Sequence, residues 1–184
     1  MMKIAILGWG SLFWKQDSTF NKTRGRWIHD GPILPLQFSH ISKLDDEALT
    51  LVVDPIYGDL SKVSYTISKR NTVEHAINDL AIRENCPHHS IGRWPFGKFP
   101  FEEEVNDWAS SKGIDHVIWT GLKSNFRRVT GDKFSKPNIL HYLDSLSDKC
   151  KKMAYQYVAL SPKFLDDSKN STKNLILTHL KDYK

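Results

Sequence analysis

The sequence predicts an α+β protein, because strand patterns come in a run near its start while helical patterns are inserted and appended. Four strand candidates precede the first helical pattern, whereas a regular βαβ array would alternate the two from the outset. The 184 residues are enough for one domain with a sizeable core, and neither a linker nor an internal repeat is evident. We therefore expect a single domain over residues 1–184.

The early strand candidates are short, rich in β-branched or apolar residues, and bounded by Gly, Pro or Asp. They are residues 3–7, 33–40, 48–54 and 63–68. Two later apolar segments, residues 116–122 and 154–160, are also predicted to be strands.

Four segments are predicted to be helices, and local signals mark several of their ends. They are residues 71–85, residues 102–112, a segment that begins near Pro137, and residues 172–180. Asn71 followed by Glu74 resembles a capping box at the start of the first helix. Gly113 suits the end of the second helix, and a proline suits the first turn of the third.

Residues 86–101 are predicted to form a loop, because they contain three prolines and two glycines and show no helical period. A loop of this length is often functional. Cys86, His88 and His89 are metal-capable side chains within it, but no matching pair recurs at a zinc-like spacing. No third partner identifies Cys86 as a nucleophile. We expect this loop to shape the mouth of a pocket and to bind no metal.

The composition indicates a folded protein in a reducing compartment. Hydrophobic residues make up 40% of the chain and charged residues 26%, which is ordinary for a globular protein. Two cysteines are too few for a disulfide framework. The longest uncharged apolar run, residues 4–14, is too short to span a bilayer and lacks the cleavage site of a signal peptide. We expect a cytoplasmic protein with no membrane partner.

The segment Gly8-Trp9-Gly10-Ser11-Leu12 follows the first predicted strand. Glycine permits a positive φ and lets a ligand approach the backbone, and consecutive N–H groups in such a turn can bind an anion. The segment lacks the third glycine of a dinucleotide fingerprint, and no phosphate-binding Gly-Lys-Ser/Thr motif follows it. Its spacing alone fits a simple turn as well as it fits a ligand-binding loop.

Glu84 is predicted to lie on the apolar side of the first helix. The apolar positions form one stripe at helical spacing, namely Val73, Ala76, Ile77, Leu80 and Ala81. At 100° per residue, Glu84 falls roughly 20° from Val73. Burial and the helix dipole would both raise the pKa of its carboxyl, as a general base near neutral pH requires. Exposure of Glu84, or pairing with Arg83 or Arg93, is the structural alternative.

Together, this loop and this glutamate resemble the γ-glutamylcyclotransferase-like family, including its glutathione-specific branch. Members of the family have a strand that leads into a Tyr-Gly-Ser loop, which Trp9-Gly10-Ser11-Leu12 resembles. They also carry a glutamate near the end of a helix in a Leu-x-x-Arg-Glu pattern, which residues 80–84 match. The resemblance covers about residues 4–85, and Trp9 stands where the family usually has tyrosine.

The resemblance implies a small mixed, partly closed β-barrel with flanking helices. It implies an enzyme that releases 5-oxoproline from a γ-glutamyl peptide or amine, with Glu84 as general acid and base. The substrate-binding residues that it implies are Gly8, Trp9, Gly10, Ser11, Leu12 and Ser39. Neither a metal nor an organic cofactor is needed, because the amine of the substrate attacks its own γ-carbonyl.

Two other functions stay open from the sequence. One is a non-catalytic protein of the same fold that binds a small molecule. The other is a nucleic-acid-binding module, since residues 121–152 carry eight basic residues against three acids. Within them, Asn125-Phe126-Arg127-Arg128 combines an aromatic residue with two arginines, as single-strand binders do. No named binding motif accompanies it, so we favour a solvated basic face and do not expect a nucleic-acid partner.

Overall fold

A computed structural model describes residues 2–15, 17–97, 99–161 and 171–184. Within those ranges the protein has seven strands and seven α-helices, so the predicted α+β class is confirmed. The strands are β1 (Ile4–Gly8), β2 (Ile33–Ser42), β3 (Ala48–Val53), β4 (Asp59–Lys62), β5 (Ser64–Ile67), β6 (Ile91–Trp94) and β7 (His116–Thr120). The helices are α1 (Ser18–Lys22), α2 (Val73–Arg83), α3 (Glu102–Lys112), α4 (Phe126–Thr130), α5 (Lys136–Ser145), α6 (Asp148–Leu160) and α7 (Thr172–His179).

The chain divides into two compact units, each made of two segments. The first comprises Met1–Leu34 and Lys62–Leu122, and the second comprises Pro35–Ser61 and Lys123–Lys184. The expectation of a single domain stays a prediction.

The first unit is built on a four-stranded mixed sheet in the order β5-β1-β7-β6. β1 pairs with β5 in antiparallel fashion and with β7 in parallel fashion, and β6 pairs antiparallel to β7. All five residues of β1 are buried, as its uninterrupted apolar sequence predicts for a central strand. The buried stripe of α2 packs with Ile4, Ile6 and Ile118 of this sheet in one core cluster.

The second unit contains a three-stranded sheet in the order β3-β2-β4 and the helices α4–α7. α6 packs against β3 and against α7. The pairing of β2 with β3 shifts register between Phe38 and His40, so Ser39 lies at a bulge.

The sheets of the described residues do not form a closed barrel, and the predicted partly closed barrel stays a prediction. The four-stranded sheet ends on two different strands, β5 and β6, and the three-stranded sheet ends on β3 and β4. Neither sheet therefore closes on itself. Short bridges from Arg24 to Ser68 and from Ile28 to Tyr65 continue the pairing beside β5 without forming a further strand.

Two predicted elements are wrong, and each has a physical reason. Residues 154–160 belong to α6, where Ala154, Tyr157 and Val158 are buried at helical spacing. Residues 86–101 are not entirely loop, because they contain β6. The glycine in β6, Gly92, hides this strand from sequence patterns, because glycine is not typical of strands. Glycine is required there because a Cβ on residue 92 would lie 2.2 Å from the Trp119 ring of β7.

Helix boundaries otherwise agree with the predictions within two residues. The N-cap of α2 is Thr72, whose side chain accepts a hydrogen bond from the His75 N–H, and not Asn71. Pro137 lies in the first turn of α5, as predicted. Across the described part of the chain, no helix combines the length and the apolar character needed to cross a bilayer.

Candidate functional site

The glycine segment leaves the end of β1 as a tight turn. Trp9 is extended, with φ −152° and ψ 170°, and Gly10–Leu12 form a single 3₁₀ turn. Gly10 has a φ of +59°, the left-handed conformation that glycine adopts at little cost. The first N–H groups of such a turn have no acceptor within it, which applies here to the N–H groups of Gly10 and Ser11.

The other residues of this segment are held by packing. Trp9 and Leu12 are each 5% exposed, and Leu12 belongs to the same core cluster as the apolar stripe of α2. A Cβ on Gly8 would lie 2.3 Å from the Trp27 ring, so glycine is needed for Trp27 to lie against the end of β1. The turn is therefore fixed between its own sheet, α2 and an indole ring.

Glu84 is the C-cap residue of α2, one position beyond the helix proper. Asn85 follows in the left-handed conformation, with φ +47°. The Asn85 N–H donates to the Ile82 carbonyl at 3.1 Å, and the Cys86 N–H donates to the Ala81 carbonyl at 3.0 Å. These two bonds form a Schellman motif, which fixes the backbone that carries Glu84.

We expect Asn85→Val to destabilise the protein by about 1–2 kcal/mol, because a β-branched residue is strained in the left-handed region. Asn85→Gly keeps the conformation at little cost, so it is the matched control and should unfold at or slightly above the wild-type midpoint. Urea denaturation of the three proteins measures this. Equal stability of the valine and glycine variants would show that the motif does not hold the end of α2.

Arg83 connects Glu84 to the glycine segment. One guanidinium nitrogen lies 3.3 Å from the Glu84 carboxylate, while the other donates to the Ser11 carbonyl at 3.0 Å and to the Lys15 carbonyl at 3.1 Å. The side chain of Arg83 is 9% exposed and that of Glu84 is 16% exposed. Glu84 is thus mostly buried, as the helical stripe predicts, and it forms one of the ion pairs that the sequence left open.

The ion pair of Arg83 and Glu84 determines the charge at the end of α2. The positive charge of the Arg83 guanidinium lies beside the Glu84 carboxylate. It offsets the unfavourable interaction of a carboxylate with the C-terminal end of a helix. The Glu84 carboxylate and the turn at Gly10–Leu12 are therefore joined by one side chain.

Four further residues of the first unit lie around the end of β1, and the sequence analysis does not select them. Trp27 packs against Gly8, and Arg24 stacks over the Trp27 ring at 4.8 Å from its centroid. Ser64 is the β5 residue paired with Gly8, and its hydroxyl lies 2.7 Å from Nδ1 of His29. These contacts depend on strand pairing, for which the sequence around Arg24 and Trp27 carries no motif.

Ser39 belongs to the second unit and has a local partner. It is fully buried, and its hydroxyl donates to the Asp54 carboxylate at 2.7 Å. Its carbonyl accepts from the Ser124 hydroxyl and the Asn125 N–H. These bonds account for its hydroxyl and its carbonyl within the bulge of β2.

The residues Cys86, His88 and His89 do not form a metal cluster. Among the described residues, no group of three or more His, Cys, Asp or Glu side chains is placed to hold an ion. Cys86 packs against the core cluster, and burial, with the nearby charge of Glu84, raises the pKa of its thiol. A raised pKa keeps the sulfur protonated at neutral pH, which argues against a thiolate nucleophile.

Two cavities lie beside α2. One of about 510 Å³ is lined by Glu74, Ile77, His88, His89, Ile91 and Arg93. The other, of about 420 Å³, is lined by Ala81, Ile82, Asn85, Cys86, Pro87 and His88. The prediction that residues 86–101 shape a pocket mouth agrees with these linings. Neither lining includes Glu84 or the glycine segment.

The aromatic residue of the segment 125–128, Phe126, is not available for stacking on a base. Phe126 is 1% exposed, and its ring contacts those of Phe134 and Tyr142. The side chain of Asn125 bonds to the backbone of Ile41 at both its oxygen and its nitrogen. The burial of Phe126 therefore argues against the alternative in which this segment binds a single strand by base stacking.

Comparison of the chain with models of known protein families, with curated proteins and with solved structures found no match.

Proposed function

We propose that the protein is a γ-glutamyl cyclotransferase-like enzyme, with a fold of that kind, which releases 5-oxoproline from a γ-glutamyl peptide or amine. The observation that carries the proposal is the Arg83 guanidinium, which contacts both the Glu84 carboxylate and the Ser11 carbonyl. It brings the proposed base and the proposed carboxylate-binding turn into one neighbourhood.

In the proposed reaction, the α-amine nitrogen of the substrate attacks its γ-carbonyl carbon and closes a five-membered ring. The new C–N bond forms as the C–N bond of the γ-amide breaks. Glu84 accepts a proton from the α-ammonium group and returns one to the departing nitrogen, so the carboxylate is regenerated. Proximity is built into the substrate, because nucleophile and electrophile belong to one molecule.

The glycine segment supplies the binding groups. The N–H groups of Gly10 and Ser11 bind the α-carboxylate of the substrate, which fixes the amine near Glu84. Trp9 and Leu12 contribute by holding the turn in place, since both are buried. Gly8 lets Trp27 form one side of the site. Ser39 remains a predicted site residue from the resemblance alone.

The proposal is tested by incubating the purified protein with γ-glutamyl dipeptides, γ-glutamyl amino acids and γ-glutamyl amines, and by measuring 5-oxoproline. We expect release from at least one class, linear in time and in enzyme concentration. The absence of 5-oxoproline from all of them would contradict the proposal. A ligand that raises the unfolding midpoint without turnover would instead favour the non-catalytic binder.

A further inference from the structure

Arg24 is a half-buried cation beside the proposed site. Its guanidinium carbon lies 4.8 Å from the centroid of the Trp27 ring and 5.6 Å from that of the Phe20 ring. One terminal nitrogen donates to the Gly25 carbonyl at 2.9 Å, and the other donates to the Asn21 side-chain oxygen. All of these partners are neutral.

The charge of Arg24 has no carboxylate partner among the described residues. Its Nε is buried and makes no hydrogen bond within them. Burial, and then the neighbouring charge of Arg83, hold the pKa of Arg24 below its usual value. Arg83 is itself paired with Glu84, so these three side chains together carry a net positive charge. This excess of positive charge favours the binding of an anionic ligand over an unoccupied site.

Arg24 is also placed next to the substrate-binding turn. Trp27, on which it stacks, is the ring that contacts Gly8 at the end of β1. A guanidinium has five N–H donors in a planar fork, so each terminal nitrogen of Arg24 keeps one N–H beyond the bonds to Gly25 and Asn21. A carboxylate is the group that such a fork binds best.

We propose that Arg24 binds a carboxylate on the leaving half of the substrate, so that γ-glutamyl amino acids and peptides are preferred over γ-glutamyl amines. This inference rests on the proposed function, because the turn at Gly10 and Ser11 already takes the α-carboxylate. The second carboxylate is present when the leaving group is an amino acid or a peptide, and it is absent when the leaving group is a simple amine.

Two ligands that differ only in that carboxylate test the inference, namely γ-glutamylglycine and γ-glutamylmethylamide. Their affinities are measured by calorimetry in the Glu84→Gln background, where the ligands are not consumed. We expect γ-glutamylglycine to bind about tenfold more tightly, the effect of one charge-assisted contact. Adding Arg24→Met should remove that preference, whereas adding Arg26→Met should keep it. Arg26→Met is the matched control, because it removes the same charge from an exposed side chain two residues away.

Several outcomes would overturn the inference. One is equal binding of the two ligands, and another is a preference for γ-glutamylglycine that survives Arg24→Met. A third is an equal loss of affinity for both ligands in Arg24→Met, which would place the α-carboxylate at Arg24. If Arg24→Met does not fold, Arg24→Gln carries the same expectation. No binding by either ligand would also overturn it, and 5-oxoproline release by the wild type then decides whether the proposed function fails as well.

Discussion

Glu84→Gln is expected to lower the rate of 5-oxoproline release by about 10²–10⁴-fold, the range for loss of a general acid and base. An amide can neither accept the proton of the α-ammonium group nor deliver one to the leaving nitrogen. Its oxygen still accepts a hydrogen bond from Arg83, so the turn should stay in place and thermal stability should change little. Steady-state kinetics and a thermal melt of the same preparation measure both effects.

Glu74→Gln is the matched control, because Glu74 is an exposed carboxylate on the same helix and lines the 510 Å³ cavity. It should leave the rate of 5-oxoproline release unchanged. A Glu84→Gln enzyme that retains most of its activity would remove Glu84 from the role of base. A loss of activity in Glu74→Gln alone would move the reaction to the cavity near His88.

Arg83→Met is expected to destabilise the protein by about 2–3 kcal/mol and to reduce activity as well. It removes the contact with Glu84 and the bonds to the carbonyls of Ser11 and Lys15. The Glu84 carboxylate would stay mostly buried and lose the contact with this cation, and the turn would lose its hydrogen bonds to α2. Urea denaturation and the kinetics of 5-oxoproline release measure the two effects.

Arg70→Met is the control for Arg83→Met, since Arg70 also pairs with a carboxylate of α2. Two of its nitrogens lie 2.6 and 2.9 Å from Asp79, but the Arg70 side chain is 43% exposed. An exposed pair of this kind contributes about 0–1 kcal/mol, so the control should stay close to the wild type. Equal destabilisation by the two substitutions would show that the link from Arg83 to the turn contributes nothing particular.

The sequence predicts the parts of the site that local rules control. The helical stripe from Val73 to Ala81 places α2 against the sheet, and it predicts that Glu84 is buried. The Gly-x-Gly spacing predicts a left-handed residue, which is Gly10. Both features depend on neighbours a few residues apart, where the spacing itself carries the information.

Contacts between distant residues are what the sequence does not reveal. Arg83 and Ser11 are 72 residues apart, and only the packing of α2 on β1 brings them together. The same holds for Arg24 and Trp27 beside Gly8, which depend on pairing next to β5. The sequence predicts a strand in part of the helix from Asp148 to Leu160, because a short apolar run fits either period.

The central claim is that Glu84 and the glycine turn act on one substrate. A crystal structure of Glu84→Gln with γ-glutamylglycine bound tests it most directly. We expect the α-carboxylate to lie within hydrogen-bond distance of the Gly10 and Ser11 N–H groups, with the α-amine and the departing nitrogen beside residue 84. Density for the ligand in the cavity lined by Glu74 and His88, away from residue 84, would contradict it.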